Sequence, residues 1–394
     1  MPLARRPRWL ILVPHLPQPE RAGGDRRLFA ILSALAPDCD VTLIAISPPL
    51  ADAGAREQAL RACGVLAVGH GPRAILSAIA RLSFDAVFFE FWFIASGLLH
   101  LTRASQPQAM HIVDSVDLHY LREREAAHLN GDFGRGDANV VAELNVYRQA
   151  DVTIVVTESE RDELARRGIT NVEVVPIIVP IVPRSERART ASLLFVGGFR
   201  HLPNGAAVHW FAREVWPRVL GAVPNAMWTI VGSDAPEDIL ALQGTNGIIV
   251  EGFVPDTTPF LDAAQVSIAP LTYGAGMKVK VSEALAAGVP VVTTRWGAQG
   301  LESGAGTAFL QADTAPDFAD AVVSLLMDPA LRRQLSREGP LLARRACTLE
   351  AAAPALEILV ATSIRSSVPA LSTARRFLAL AALVTRRRVL RSLR

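Results

Sequence analysis

Short runs rich in valine, isoleucine and leucine alternate with helix-spaced segments along this chain, in two separate series. The first series runs Trp9–Val13, Val41–Ile46, Val65–Val68, Ala86–Glu90, Ala109–Val113, Val152–Val156 and Val172–Val175, with helical patterns such as Asp25–Leu35, Pro72–Leu82 and Ser159–Arg167 between them. The second runs Ser192–Val196, Met227–Val231, Ile248–Val250, Val266–Ala269, Val289–Thr293 and Thr307–Leu310, with helices expected at Ala206–Leu220, Thr258–Ala264, Val279–Ala287 and Asp317–Leu326. Strands that are apolar along their whole length need cover on both faces. A parallel sheet between two helical layers provides it. Between the series lie Pro176, Pro180 and Pro183, followed by a charged stretch to Thr190, the strongest linker signal in the chain. The sequence therefore predicts an α/β protein of two doubly wound parallel-sheet domains facing across a cleft. Their expected extents are 1–185 and 186–362, with a tail at 363–394.

Open parallel sheets bind ligands outside the carboxyl ends of their strands, so the loops there carry the functional argument. After the first strand, Gly23 and Gly24 precede a helix opening at Asp25. Free N–H groups at that positive dipole end suit a phosphate or a hydroxyl-rich ligand, and a plain turn needs the same glycines. After Ala109–Val113 come Asp114, Asp117 and His119, suited to a general base or to holding sugar hydroxyls. Two carboxylates three apart also ligate metals, but more commonly cap helices. Gly69, Gly71 and Ala74 match a dinucleotide fingerprint with Glu90 downstream. They follow the third strand of their domain rather than the first, which argues against nicotinamide.

Charge singles out one loop of the second series. The chain has 40 lysines and arginines, and only Lys278 and Lys280 are lysine. A compact ammonium suits a phosphate oxygen, whereas guanidinium suits flat bidentate partners. Both lysines sit beside glycines just before a helix, as an anion site would require. The net charge of +2 is unevenly placed, because Arg365–Arg394 holds the arginines of a basic tail and no acid. The body is mildly acidic, which argues against nucleic acid as a partner. Ser372–Arg394 reads as an amphipathic helix able to lie on an anionic membrane surface, or as a disordered basic tail. Cys39, Cys63 and Cys347 lie far apart with no zinc spacing, and the N-terminal apolar run reads as a strand rather than a signal peptide. These features suggest a cytoplasmic protein, in peripheral contact with the membrane if the tail binds it.

Leu194–Arg218, Thr229–Gly232, Val250–Asp256 and Ile268–Leu271 lead in order into the two-lysine loop and then Glu283–Val292. This succession resembles glycosyltransferase family 4, nucleotide-sugar enzymes of the GT-B fold, which pairs two Rossmann-like domains. The likeness is strong over Leu193–Ala346 and looser in the first domain. It implies that Glu283 contacts the donor ribose, that Gly276, Met277, Lys278 and Val279 meet the diphosphate, and that Phe253 and Val254 lie beside the base. Gly23 and Gly24 would face the diphosphate across the cleft, with Lys280 and Arg200 adding positive charge. Lys278, Asp117 and His119 are the expected catalytic groups. The implied reaction is transfer of a sugar from a nucleoside-diphosphate sugar to a glycan or lipid-linked acceptor, with retention and without cofactor or required metal. Two departures matter. Ala275 stands where the family commonly has a sugar-contacting glutamate, and Gly198, Arg200 and Asn204 occupy a region where an arginine and a lysine are usual. The first departure keeps a non-catalytic nucleotide-sugar-binding protein as the alternative, with a nicotinamide-dependent Rossmann enzyme behind it.

Overall fold

A computed structural model describes residues 5–20, 22–129, 139–182, 191–364 and 369–384. The first sheet contains β1 (Arg8–Val13), β2 (Asp40–Ala45), β3 (Ala67–His70), β4 (Ala86–Glu90), β5 (Met110–Asp114), β6 (Val152–Val155) and β7 (Val172–Val174). Its helices are α1 (Gly23–Leu35), α2 (Ala53–Ala62), α3 (Gly71–Arg81), α4 (Trp92–Ser105), α5 (His119–Leu129), α6 (Val140–Gln149) and α7 (Glu158–Arg166). The second sheet contains β8 (Ser192–Val196), β9 (Met227–Val231), β10 (Ile248–Gly252), β11 (Val266–Ala269), β12 (Val291–Thr293) and β13 (Leu310–Gln311). With it come α8 (Leu202–Trp210), α9 (Trp216–Ala222), α10 (Glu237–Leu240), α11 (Thr258–Ala263), α12 (Val279–Ala286), α13 (Ala315–Met327) and α14 (Pro329–Ala346). Two further helices, α15 (Leu349–Ser363) and α16 (Thr373–Val384), close the described chain. The expected strands all form, mostly shifted at their ends.

Both sheets are parallel, ordered β3-β2-β1-β4-β5-β6-β7 and β10-β9-β8-β11-β12-β13. In each, the chain leaves the middle strand, runs to one edge, and returns to continue on the other side. The reversal falls between β1 and β4 in the first sheet and between β8 and β11 in the second. Loops diverging from those strands open a crevice at each point. Topology thus selects the Gly23–Gly24 loop after β1 and the two-lysine loop after β11. The glycine fingerprint straddles the end of β3, an edge strand, far from either reversal.

The strands bury as their composition requires. Trp9 through Val13 and Ala86 through Glu90 are all buried, with α1 on one face of the sheet and α3 and α4 on the other. A cluster of Phe211, Trp216, Trp228 and Phe318 fills one face of the second sheet. The proline-rich linker is no free tether. Ile177 and Val179 are buried, and the Val179 N–H donates to Cys347 O at 2.9 Å.

The last two helices pack on the first domain. Helix α15 crosses back, burying Ala352, Leu356, Leu359 and Val360 in the core beneath α1, while Trp9 Nε1 donates to Ser363 Oγ at 3.3 Å. Helix α16 lies against α3 and α4: Leu380 is buried in the first core and Arg376 Nε donates to Ala80 O at 3.2 Å. The part of the tail read as a membrane helix thus uses one face for the protein's own core, leaving Phe377 and Leu378 exposed. The clustered arginines Arg386–Arg394 lie outside the described residues. By length and composition Pro329–Ser363 could cross a membrane, but Leu335, Leu342, Leu356 and Leu359 are buried in the domain cores.

Candidate functional site

The site forms where the loop before α12 meets the start of α1. Gly276 takes φ of 73°, a left-handed conformation that favours glycine, and a Cβ there would lie 3.2 Å from Asp117 Cβ across the cleft. Lys278 is buried, and its Nζ donates to Ala275 O at 2.8 Å, to Gln299 Oε1 at 2.9 Å and to Gly276 O. An ammonium has three N–H groups, so all are committed, two to the loop's own carbonyls and one to Gln299. Burial pushes Lys278 down to about 8, against the attraction of Asp117, Glu160 and Glu125. In the structure the Lys278 side chain braces the loop whose backbone N–H groups are expected to meet the diphosphate. We expect Lys278→Ala to lower stability by about 1–3 kcal/mol, because it leaves those carbonyls unmatched. Chemical denaturation measures this, and unchanged stability would exclude the bracing role.

Of the two lysines, Lys280 is the one with N–H groups still uncommitted among the described residues. In the first turn of α12, its Nζ donates to Asn204 Oδ1 and lies 4.3 Å from the centre of the Phe195 ring. A Cβ on Gly197 would come within 2.8 Å of that nitrogen, so the ammonium sits directly under the loop after β8. Asn204 is oriented by its own Nδ2 donating to Gly198 O at 2.7 Å. Burial, then repulsion from Lys278, pushes Lys280 down to about 7. No ion pair to Lys280 occurs among the described residues. Arg200, expected to add charge here, instead pairs with Asp234 at 2.9 Å, its side chain 82% exposed.

Two helix N-termini converge at this point. Neither α1 nor α12 has a side-chain cap, and a Cβ on Gly23 would fall 2.6 Å from Val279 Cγ2. Only glycine permits that approach between the domains. One turn deeper, Arg26 of α1 forms an ion pair with Glu283 of α12. Glu125 Oε2 accepts from the Gly274 N–H at 2.8 Å, a second polar link across the cleft. Burial raises Glu125, with the Gly274 N–H and Lys278 opposing. Phe253 is 44% exposed after β10, whereas Val254 packs on the apolar cluster around α12.

On the first-domain wall, Asp117 bridges Arg122 and His119, with His119 Nε2 3.1 Å from Asp117 Oδ1 in a close contact poorly aligned for a hydrogen bond. Trp92 Nε1 donates to His119 Nδ1 at 3.2 Å, so the ring proton belongs on Nε2, toward Asp117. Asp117 is held below the usual carboxylate range: burial would raise it, but His119 and Arg122 outweigh that. Neither acid of the Asp114/Asp117 pair caps α5. Asp114 is buried against Arg27 at 2.5 Å, and Glu143 of α6 accepts from the His119 and Tyr120 N–H groups, both at 2.9 Å. Burial pushes Glu143 and Glu160, beneath this wall, up to about 7. Among the described residues no group of three or more potential metal-ligating side chains gathers. Sequence reasoning missed Arg26, Glu125, Glu143 and Gln299, whose partners lie far away in the chain and leave no local signal.

Two parallel-sheet domains with facing crevices define the GT-B architecture of glycosyltransferases. Residues 190–328, most of the second domain, match the family model described as Glycosyl transferases group 1. No curated protein matches the chain in sequence. Among solved structures, sucrose-phosphate synthase from Thermosynechococcus elongatus superposes with a TM-score of 0.69 at 16% identity, covering 91% of this chain and 100% of that one. HepE from Anabaena, in complex with UDP and glucose, gives 0.66 at 12% identity, covering 91% and 99%. A glycosyltransferase from Rickettsia africae gives 0.66 at 10%, covering 92% and 100%. At these identities the likeness establishes the GT-B fold.

Proposed function

We propose that the protein transfers a glycosyl group from a nucleoside-diphosphate sugar to an acceptor hydroxyl, in the synthesis of a polysaccharide or glycolipid. The observation that carries this reading is the convergence of two uncapped helix N-termini beside Lys280. Such a place favours a diphosphate and, still more, the charge that develops on it as a leaving group. The group 1 match over the second domain and the UDP and glucose held by HepE support the donor class. Glu283, still able to accept on its remaining lone pairs beside Arg26, is suited to the ribose hydroxyls.

In this reading the bond between the anomeric carbon and the β-phosphate oxygen breaks as the α12 N–H groups and Lys280 stabilise the diphosphate. The acceptor oxygen attacks from the same face, and its proton passes to the departing phosphate oxygen, so configuration is retained. No metal is called upon. Asp117 and His119, against Gly276, orient hydroxyls at the reacting carbon. The free thiols Cys39, Cys63 and Cys347 are consistent with a cytoplasmic setting.

Melting the protein with UDP, GDP and ADP tests the donor end. A ligand at a hundred times its Kd stabilises by about 2.7 kcal/mol, and one diphosphate should stand out. Release of that diphosphate from its sugars with glycan acceptors then tests transfer. No shift with any nucleotide would overturn the proposal. Ala275, in place of a sugar-contacting glutamate, favours one other reading, a binder without turnover. Tight donor binding without transfer to any acceptor would establish it.

A further inference from the structure

The β4–α4 junction carries a feature that the donor site does not use. Phe91, the residue before α4, has φ of 71°. An aromatic L-residue adopts such backbone only where its surroundings compel it, and such strain concentrates at functional sites. Its consequence here is a stack: the Phe91 and Phe93 rings lie 5.2 Å apart at 12°, and both flank His119, at 5.6 and 6.0 Å. Trp92 lies edge-on to Phe93 at 6.2 Å while donating to His119 Nδ1. Phe93 is nevertheless 43% exposed. This open ring stands at the carboxyl end of a strand beside the topological reversal, next to the His119–Asp117 pair that touches the donor loop at Gly276.

We propose that Phe93 is the platform on which a pyranose ring of the acceptor lies, so that the acceptor is a saccharide rather than a simple lipid alcohol. This inference rests on the glycosyl-transfer reading and deepens it. A sugar has one face of C–H groups and an equator of hydroxyls. The exposed ring matches the face, while Asp117 and His119, close by, match the hydroxyls. An alkyl chain would use the ring but offer no donor to Asp117 Oδ1, which has no hydrogen-bond partner among the described residues. The stack beneath Phe93 keeps the ring fixed before the ligand arrives, which lowers the ordering cost of binding.

The test uses the full-length protein saturated with whichever nucleoside diphosphate gives the largest thermal shift. Methyl glucoside, methyl galactoside, methyl mannoside and their β-linked disaccharides serve as probes in saturation-transfer NMR, with 1-octanol as the lipid-alcohol probe. Transfer from aromatic protons to the ring C–H groups of a saccharide is expected. It should fall about tenfold in Phe93→Ala and survive in Phe93→Tyr, with the nucleotide shift unchanged in both variants. Absence of transfer to every saccharide, equal transfer in Phe93→Ala, or transfer to octanol alone would each overturn the inference while leaving the proposed function standing. Absence of any nucleotide shift in the wild type would overturn the proposed function, and this inference with it.

Discussion

Replacing Lys280 with methionine should reduce nucleoside-diphosphate affinity about a hundredfold while leaving the ligand-free protein as stable as before, or more so. The two effects have opposite signs for one physical reason. Without ligand, the ammonium has only Asn204 Oδ1 and the face of Phe195 as partners among the described residues, with Lys278 adding repulsion. An under-compensated buried charge is a burden on the folded state, and an apolar chain of similar length removes it. With a diphosphate present, charge-assisted hydrogen bonds contribute about 1.5–3 kcal/mol. The pH dependence follows. Lys280 lies at about 7 in the folded protein against 10.5 as its ordinary value. Between those values the unfolded chain binds more protons, so ligand-free stability rises with pH across that window. Affinity for an anion runs the other way, falling as pH rises past about 7, because binding requires the charged form. Lys278, at about 8, adds a stability change of the same sign, which the Lys280→Met variant would retain. Calorimetric titration from pH 6 to 9 should show falling affinity and proton uptake in the wild type, and neither in the variant. A pH-independent affinity in the wild type would remove Lys280 from the site.

Glu283→Ala should be nearly as damaging, by a different route. A carboxylate accepting from two ribose hydroxyls contributes roughly 2–3 kcal/mol, so nucleoside-diphosphate affinity should fall about a hundredfold. Affinity for inorganic pyrophosphate, which lacks the ribose, should change little. Arg26 holds this carboxylate from the other domain, and Arg26→Ala alone should cost about tenfold. If Arg26 acts by orienting Glu283, the double variant should be no worse than Glu283→Ala. Additive losses in the cycle would instead give Arg26 its own contact with the ligand, and equal losses for pyrophosphate would separate Glu283 from the ribose.

The fold was largely legible because its signals are local. Each strand announces itself as an apolar run, and a run cannot hide its neighbours' punctuation. Ends were less exact. The last strands were expected from Val289 and Thr307 but form at Val291 and Leu310, where ladder pairing with β11 and β12 begins. The loop before α12 stands out in the sequence for the same reason: its glycines, lysines and glutamate are contiguous. The roles of its two lysines do not. Lys278 precedes α12 in an extended conformation, with ψ of 112°, and folds back onto its own loop's carbonyls. Lys280, two residues on, is already helical and is carried around the axis to Asn204, 76 positions earlier in the chain.

By itself, then, the sequence determined the alternation of strands and helices and their division into two domains. Tertiary structure decided that Lys278 folds onto its own loop while Lys280 reaches Asn204, that Arg26 grips Glu283, that Glu143 rather than an aspartate caps α5, and that α15 and α16 return to the first domain. The difference is one of range. Strand and helix preferences act over a few neighbouring residues and leave a periodic trace. A side chain's partner is selected by packing between segments brought together only when both sheets are complete, and no periodicity records that choice.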